Sequence, residues 1–190
     1  MAEDGARPEP EGSPPRTAAA RPRYEVQELR GDHAAAVLAF ERENRSYFAA
    51  SVTDRGDDYF AEYAERHAKL LEQQAAGHGA FHVLVGVDGE ILGRINLYDI
   101  ADGSADVGYR MAERVAGAGV ATTALRQLCV IAADRHGLRL LRAKTSDLNV
   151  APSRVLMNAG FAPVERTEVA GRPGTSYERR LTPHPPPPDR

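Results

Sequence analysis

The sequence contains little lysine, a single cysteine and no tryptophan. Lys69 and Lys144 are the only lysines among 190 residues, so arginine carries nearly all of the positive charge. Any anion contacts would therefore be made mainly by planar guanidinium groups. The one cysteine, Cys129, excludes an internal disulfide and every metal site built from several cysteines. This cysteine usage fits a reducing compartment.

Apolar runs are short throughout the chain. None approaches the roughly 18 residues that a membrane-spanning helix needs, and the first residues lack the apolar core of a secretory signal. The formal net charge is only −3, with 27% charged residues, which gives no electrostatic support for binding to DNA or RNA. The six histidines offer no pair at metal-ligand spacing on one helix face. We expect a cytoplasmic protein with no membrane, nucleic-acid or metal partner.

Proline is concentrated at the two ends of the chain. Ten of the thirteen prolines fall outside residues 24–182. Residues 1–23 combine proline with charge and have almost no large apolar side chain, so we expect a disordered tail there. A second, Pro-rich tail is expected at residues 183–190. The remaining residues, 24–182, are enough for one domain with its own core.

Between these tails, hydrophobic periodicity and turn residues predict a mixed α/β domain. Asp88-Gly89 between two β-branched segments predicts a hairpin, and Asp32 and Thr53-Asp54 are candidate helix N-caps. The predicted order is β-α-α-β-β-β-α-β-α-β-β, an antiparallel meander followed by one parallel crossover around a Gly-rich helix. The predicted elements are strand 24–29, helix 33–45, one long helix from about 55 to 76, strands 81–87, 91–100 and 105–111, helix 120–136, strand 138–144, helix 149–159, and strands 161–169 and 176–181.

A Gly-rich turn, Arg114-Val115-Ala116-Gly117-Ala118-Gly119, joins predicted strand 105–111 to the next helix. Glycine lets a ligand approach the main chain closely, and free amides at a helix N-terminus attract an anion such as a pyrophosphate. The turn and the helix start also match the G-x-G-x-x-G dinucleotide fingerprint except at its last position. That alternative lacks the acidic residue expected about twenty positions later, and the turn does not open its domain.

Three features occur together and in order: strand Ala105-Asp106-Val107-Gly108-Tyr109-Arg110-Met111, the R-x-x-G-x-G turn, and Asn149 followed eleven residues later by Gly160-Phe161. With the element order, they make residues 24–181 resemble the GNAT superfamily of acetyl-CoA-dependent N-acetyltransferases. Within it, the chain is similar to the Rim-type ribosomal-protein-alanine branch. The resemblance implies an α/β GNAT fold, with a mixed, mostly antiparallel sheet, a splayed parallel strand pair in its middle, and flanking helices.

The resemblance also implies that acetyl-CoA is the co-substrate. Its pantetheine arm would lie between the two splayed strands, 105–111 and 138–144, where Asn149 would hydrogen-bond it. The other residues that the resemblance assigns to the cofactor flank the thioester or line the pyrophosphate, the latter mainly through backbone amides: Met111, Arg114, Val115, Ala116, Gly117, Ala118, Gly119, Val120, Ala121 and Ser153.

Two departures from the family pattern concern catalysis. Many relatives have Asn-x-x-Ser at the head of the last helix, whereas proline occupies that place here and Ser153 follows it. Many also have a tyrosine seven residues after the asparagine as acid for the thiolate, and here that position is Leu156. The general acid is therefore unassigned, with Ser153 as a candidate contact to the thiol. Asp106 is the candidate base, because its strand is similar to the Ala-Glu-Ile-Gly-Tyr strand of Rim-type relatives; a solvent-facing aspartate is the alternative.

In the family, the first two helices and their connection cover the acceptor groove. Glu43, Asn44 and Tyr47 lie there and are candidate substrate-binding residues, since a carboxylate would attract a cationic amine. The resemblance implies N-acetylation of a primary amine, with the N-terminal α-amine of a ribosomal protein as the first candidate. An α-amine, with a pKa of about 7.7 to 8.0, loses its proton more readily than lysine, at about 10.4. A small-molecule amine (an antibiotic, polyamine or amino acid) and an inactive acyl-CoA-binding module are the alternatives, and the protein is expected to be a monomer or homodimer.

Overall fold

The computed structural model describes residues 22–148 and 150–182. Almost all of the two predicted tails, and the predicted contact of Asn149, lie outside the described residues. The helices are α1 (Ala34–Glu43), α2 (Arg45–Ala49), α3 (Asp57–Ala61), α4 (Tyr63–Ala75), α5 (Val120–His136) and α6 (Val150–Asn158). The strands are β1 (Tyr24–Glu28), β2 (Ala80–Gly86), β3 (Ile91–Ala101), β4 (Ser104–Met111), β5 (Leu140–Ser146), β6 (Ala162–Val169) and β7 (Arg172–Arg180).

All seven strands form one sheet in the order β1-β2-β3-β4-β5-β7-β6. Neighbouring strands run antiparallel, except that β4 and β5 are parallel. Parallel strands need a crossover connection, and α5 provides it. The predicted mixed α/β fold, with a meander and one parallel pair in the middle of the sheet, is confirmed.

Side chains that alternate along β4 show which helices cover which face of the sheet. Arg110 reaches Glu41 on α1, whereas its neighbour Tyr109 reaches the carbonyl of Pro152 on α6. Helices α1 and α4 contact each other, as do α5 and α6. The first pair therefore covers one face of the sheet, here called the α1 face, and the second pair covers the other, the α6 face.

The apolar core lies on both sides of the central strands. Val37 and Phe40 of α1 are buried on the α1 face. On the α6 face, Ile95 and Leu97 of β3 and Leu125 and Leu128 of α5 are fully buried. Cys129 is buried beside them, and burial raises the pKa of its thiol to about 11. The cysteine is therefore protonated at neutral pH and packs as a small hydrophobic residue.

The first helical region is more broken than its sequence pattern predicts. The predicted helix 33–45 ends at Glu43, and a short further helix, α2, follows after Asn44. Asn44 leaves helical geometry (φ −102°, ψ 10°) and donates from its side-chain amide to the Phe40 carbonyl at 2.9 Å. The single long helix expected next is two helices, α3 and α4, which meet at Glu62.

Both predicted N-caps are wrong, because each aspartate binds an arginine instead. Asp32 accepts two hydrogen bonds from Arg30, and no side-chain cap bond is formed at the start of α1. Asp54 accepts from Arg45 at 2.6 Å, and α3 begins only at Asp57, after Gly56. In the bond to arginine both partners are charged, whereas a backbone N–H at a helix start is neutral, which explains why the arginine wins the competition.

Within residues 22–148 and 150–182, no helix combines the length and apolarity that crossing a membrane requires. The same residues contain no group of three or more His, Cys, Asp or Glu side chains arranged to hold a metal ion.

Burial of His82, in the middle of β2, makes the stability of the protein depend on pH. It is 3% exposed, and its Nδ1 has no hydrogen-bond partner among the described residues. Burial, with His136 as a further cause, lowers the pKa of His82 from 6.5 to about 4. The unfolded chain therefore binds a proton on this residue at pH values where the folded protein does not. The free energy of unfolding must fall as the pH drops from about 6.5 to about 4.

We predict that His82→Gln flattens the pH dependence of stability in this range, because glutamine does not titrate. The pH-dependent part of the stability that this variant removes is at most about 3.5 kcal/mol, since the shift from 6.5 to about 4 is worth about 1.4 kcal/mol per pKa unit. Urea unfolding at a series of pH values measures it, and His78→Gln, at an exposed histidine, is the matched control. A His82→Gln variant with the same slope as the parent would contradict the prediction, whatever its absolute stability.

Candidate active site

The sheet opens between β4 and β5. The two strands pair at only three positions, Ser104, Ala105 and Asp106 opposite Leu140, Leu141 and Arg142. Beyond them, β4 continues to Met111 along β3, and β5 continues to Ser146 along β7. The facing edges of residues 107–111 and 143–146 are therefore not paired with each other. We call the space between them the β4–β5 gap; the predicted splayed pair is confirmed.

Close packing against β3 fixes the far end of β4. A Cβ added to Gly93 would clash with the sulfur of Met111 and the carbonyl of Arg110. A Cβ added to Gly108 would meet the ring of Tyr98 at 2.8 Å. Glycine at these two positions lets β4 stay close to β3 while it separates from β5. Met111, a predicted thioester neighbour, is half-buried at this end of the gap.

The Gly-rich turn follows Met111 and leads into α5. Gly117 and Gly119 have φ of 74° and 76°, a left-handed conformation that other residues rarely adopt, and Gly119 is the N-cap of α5. Nothing lies within 4 Å of a Cβ placed on either glycine. Their conformation, rather than crowding within the chain, is what requires glycine here.

The turn leaves some of its backbone amides free and uses others. The amides of Val115, Ala116 and Ala118 donate to the carbonyls of Ala112, Glu113 and Val115, respectively. The sequence predicts that these three amides bind the phosphates, but each is already hydrogen-bonded to a carbonyl of the protein. Within the part of the chain that the structure describes, no acceptor is found for five other amides, which belong to Gly117, Gly119, Val120, Ala121 and Thr122. Thr122 is missing from the predicted set, although the first amides of any helix lack internal partners.

Arg114 lies at the outer edge of the turn. Its side chain is 46% exposed and donates to the Ile91 carbonyl at 3.4 Å. Glu43 and Glu90 each place a carboxylate oxygen 3.9 Å from its guanidinium. Glu43, predicted to bind the acceptor, thus lies beside the Gly-rich turn, close to Arg114.

Three hydroxyl groups, those of Tyr109, Thr145 and Ser153, lie beside the gap on the α6 face. Ser153 lies 3.0 Å from the hydroxyl of Thr145, near the end of β5. Tyr109 extends from β4 toward α6, where its hydroxyl donates to the Pro152 carbonyl at 3.5 Å. Burial, with Tyr47 as a further cause, raises the pKa of Tyr109 well above its ordinary value, so this hydroxyl keeps its proton. Leu156, at the family's tyrosine position, is fully buried and has no hydroxyl group that could act as an acid.

Asp106 occupies the last paired position before the gap. It is exposed on the α1 face, opposite Tyr98 of β3 and Arg142 of β5. The guanidinium of Arg142 bonds to Ser104 and lies 3.7 Å from Glu178. No hydrogen bond of the Asp106 carboxylate is found among the described residues. The geometry leaves this carboxylate able to accept a proton.

The other predicted acceptor residues divide between the core and the surface. Asn44 is 6% exposed, and its amide oxygen accepts a hydrogen bond from the backbone of Glu113 at 2.9 Å. Its amide nitrogen donates to the Phe40 carbonyl, so both polar atoms of the Asn44 side chain are hydrogen-bonded. Together the two bonds join the first helices to the segment after β4. Tyr47 is 38% exposed and lies close enough to affect Tyr109.

A buried charged cluster next to the gap is largely missing from the sequence prediction. Glu41 is 1% exposed and is bound by three arginines: Arg94 at 2.9 Å, Arg110 at 3.2 Å and Arg55 at 3.5 Å. The sequence signal is an arginine inside each of two apolar strand patterns, Ile91-Leu92-Gly93-Arg94-Ile95 and Val107-Gly108-Tyr109-Arg110-Met111. Buried arginines require an acidic partner, but the sequence does not say which one.

Comparison with known proteins supports the same interpretation. A family model described as an acetyltransferase (GNAT) domain matches residues 23–162. No curated protein matches the chain in a sequence comparison. The ribosomal-protein-S5-alanine acetyltransferase of Vibrio fischeri has a similar structure, with a TM-score of 0.77 and 18% identity over 83% of this chain and 92% of that one.

Two further solved structures have coenzyme A in their crystals. RimJ of Mycobacterium smegmatis, in complex with CoA-disulfide, aligns with a TM-score of 0.73 and 21% identity over 82% of this chain and 80% of that one. Spermidine N-acetyltransferase of Vibrio cholerae, in complex with CoA and spermine, aligns with a TM-score of 0.70 and 14% identity over 83% of this chain and 95% of that one. Identities this low show a shared fold, whereas the family match covers most of the chain. This protein therefore belongs to the GNAT family of acetyl-CoA-dependent N-acetyltransferases.

Proposed function

We propose that the protein transfers the acetyl group of acetyl-CoA directly to the N-terminal α-amine of a protein, with a ribosomal protein as the first candidate. The β4–β5 gap carries the proposal. It combines unpaired strand edges with a turn that presents five free amides at the positive end of a 17-residue helix. Such a site suits a ligand that has a pyrophosphate at one end and an amide-bearing arm at the other.

The described residues fit acetyl-CoA along the gap. The amides of Gly117, Gly119, Val120 and Ala121 would bind the pyrophosphate, and Arg114 would add charge. The free edge of β4 up to Met111 would pair with the arm, since unpaired backbone groups need partners. Ser153 would lie beside the arm, and Asn149, as the family resemblance implies, would bind it. Bound acetyl-CoA supplies an acyl carbon activated as a thioester.

The reaction forms a bond from the amine nitrogen to the acyl carbon and breaks the bond from that carbon to sulfur. The amine loses one proton and the leaving thiolate gains one. We assign proton removal to Asp106, directly or through a water molecule. Tyr109 and Ser153, which border the gap, are the candidates for protonating the thiolate. Much of the rate enhancement would come from holding the two reactants in place.

The choice of acceptor is supported by chemistry and by structural likeness. A neutral amine is required, and an α-amine reaches that form near neutral pH, which makes less demand on an exposed carboxylate. Two of the similar structures are Rim-type enzymes, one of them named for its ribosomal protein substrate. Tyr47, exposed at the mouth of the gap, would contact the incoming chain.

A small amine is the second candidate, favoured by the similarity to a spermidine N-acetyltransferase. Spermidine is a polycation, whereas the buried cluster beside the gap contains three arginines and one carboxylate. This excess of positive charge disfavours a polycationic acceptor and leaves smaller amines as the alternative.

We predict thiol release from acetyl-CoA in the presence of ribosomal-protein N-terminal peptides, and much less with polyamines or aminoglycosides. Release with small amines alone would move the function to small-molecule acetylation. Acetyl-CoA binding without release from any acceptor would favour an inactive acyl-CoA-binding module.

Gly119→Asp should weaken coenzyme A binding at least about tenfold, because it strains the turn and places a negative charge where the pyrophosphate binds. Gly137→Asp is a matched control: Gly137 has φ 62° at the other end of α5, and nothing lies within 4 Å of its Cβ position. Titration calorimetry with coenzyme A compares the two variants. Equal affinities would place the pyrophosphate somewhere other than the Gly-rich turn.

Asp106→Asn should lower kcat by about tenfold to hundredfold, since it removes a proton acceptor and keeps the size of the side chain. The loss should be smallest at high pH, where more of the amine is already neutral. Asp102→Asn, at an exposed turn residue before β4, is the control. If Asp106→Asn turns over like the parent at every pH tested, Asp106 has no part in the mechanism.

A further inference from the structure

A charged cleft adjoins β4 on the α1 face. Its walls include Glu41 of α1, Phe48 of α2, Arg55 of the segment before α3, Phe60 of α3 and Arg110 of β4. We call it the arginine cleft. The catalytic roles proposed above use none of these five side chains.

The charges of the cleft do not balance. Glu41 is the partner of three guanidinium groups, Arg55, Arg94 and Arg110, which leaves two positive charges in excess. Arg45 also lines the cleft and pairs with two carboxylates, Asp54 and Asp57, each at 2.6 Å. The four arginines and three carboxylates in and around the cleft therefore carry one positive charge in excess. A net positive charge therefore remains beside the proposed acceptor site, where a cationic amine alone would be repelled.

The three arginines bound to Glu41 also have hydrogen-bond donors without an acceptor in the part of the chain that the structure describes. Among the described residues, each of the three arginines donates one hydrogen bond to Glu41, although each guanidinium carries five N–H donors. The side chain of Arg94 is only 6% exposed, and its buried Nε has no partner. Burial, with Arg55 nearby, lowers the pKa of Arg110 below its usual value. The partly exposed guanidinium groups of Arg55 and Arg110 therefore have N–H groups left that can bind a further acceptor.

Aromatic rings hold the two arginines that border the cleft. Arg110 lies over the ring of Phe48 at 4.9 Å, and Arg55 lies over Tyr59 at 4.3 Å. Their side chains are 23% and 31% exposed, whereas Arg94 lies behind them. Guanidinium groups fixed in this way suit a planar carboxylate, which can accept two hydrogen bonds at once.

The cleft lies close to the proposed chemistry. Arg110 is on the part of β4 that borders the gap, between Tyr109 and Met111. It points to the same face as Asp106, four residues earlier, which corresponds to about 13 Å along the strand. An amine placed between Asp106 and the end of the gap would have a group a few bonds away within reach of Arg110 and Arg55.

We propose that the arginine cleft is a specificity subsite for a carboxylate that the acceptor carries within a few bonds of its amine. This inference rests on the acetyl transfer proposed above. Two kinds of acceptor have this chemistry: a peptide whose second residue is acidic, and a free α-amino acid. An amine without a nearby negative charge is a poor substrate.

The test compares acceptors that differ only in this charge. Ala-Asp and Ala-Asn peptides of otherwise identical sequence form one pair, and alanine and alaninamide form the other. Thiol release should give a kcat/KM at least about tenfold higher for the acidic member of one pair, as expected for a charge-assisted contact. The pair that responds identifies the source of the carboxylate. Equal rates within both pairs would overturn the proposal.

Arg55→Gln should reduce this preference to threefold or less. The KM of the acidic acceptor should rise, while kcat/KM for its neutral partner stays within about twofold. Lys69→Gln makes the same charge change on the exposed surface of α4, where Lys69 pairs with Glu65, and should keep the preference. Arg110→Gln is a second variant of the cleft. If both cleft variants lose the neutral and acidic acceptors equally, the arginines only stabilise the fold.

Binding measured without turnover keeps the inference testable even if no acceptor is acetylated. N-acetyl-Ala-Asp and N-acetyl-Ala-Asn peptides mimic the reaction product. In the presence of coenzyme A, calorimetry should show tighter binding of the acidic peptide by the parent, with the difference lost in Arg55→Gln. Absence of thiol release together with this difference would refute the proposed transfer and support the subsite. Equal binding of the two peptides would refute the subsite itself.

Discussion

The end of hydrogen bonding between β4 and β5 after Asp106 is the constraint on which the rest of the site depends. Each strand keeps one full antiparallel neighbour, β3 for β4 and β7 for β5, so the sheet remains anchored on both sides of the opening. On the α6 face, Tyr109 bonds to α6 from β4, and Thr145 contacts Ser153 from β5. The opening is therefore bordered by fixed elements, and its unpaired backbone edges are available to a ligand.

Positive potential lies at two places around this opening. At one, the free amides of the Gly-rich turn and the dipole of α5 attract phosphate, and carboxylates on Glu43 and Glu90 hold Arg114 nearby. At the other, the arginine cleft attracts negative charge on the acceptor. The carboxylate of Glu41, near this site, cannot attract a cationic amine, because three arginines already bind it. Selectivity would come from this electrostatic arrangement rather than from the shared fold.

The fold could be predicted from the sequence where local patterns agree with tertiary packing. The hairpin at Asp88-Gly89, the Gly-rich turn and helix α5 follow directly from turn residues and apolar periodicity. The caps at Asp32 and Asp54 could not, because arginines from the same region compete for those carboxylates. The break at Asn44 depends on a contact with Glu113, which is 69 residues away in the chain.

In the candidate site, too, some features follow from local sequence patterns and others depend on non-local contacts. The Gly-rich turn carries its own signal, but which of its amides are free depends on how the turn folds back on itself. Tyr109 contacts Pro152 of α6, 43 residues later in the chain, and the three partners of Glu41 come from three segments of the chain. Non-local contacts of this kind have no short-range sequence pattern, so they became visible only in the structure.

Hydrogen–deuterium exchange with and without coenzyme A tests the central claim, that the β4–β5 gap and its turn form the cofactor site. The account predicts slower exchange of the backbone amides of Gly117, Gly119, Val120, Ala121 and Thr122, and of the facing edges of β4 and β5. The amides of β1 and β2 should exchange as before. Unchanged exchange at the turn and the gap, under conditions in which coenzyme A binds, would contradict the account.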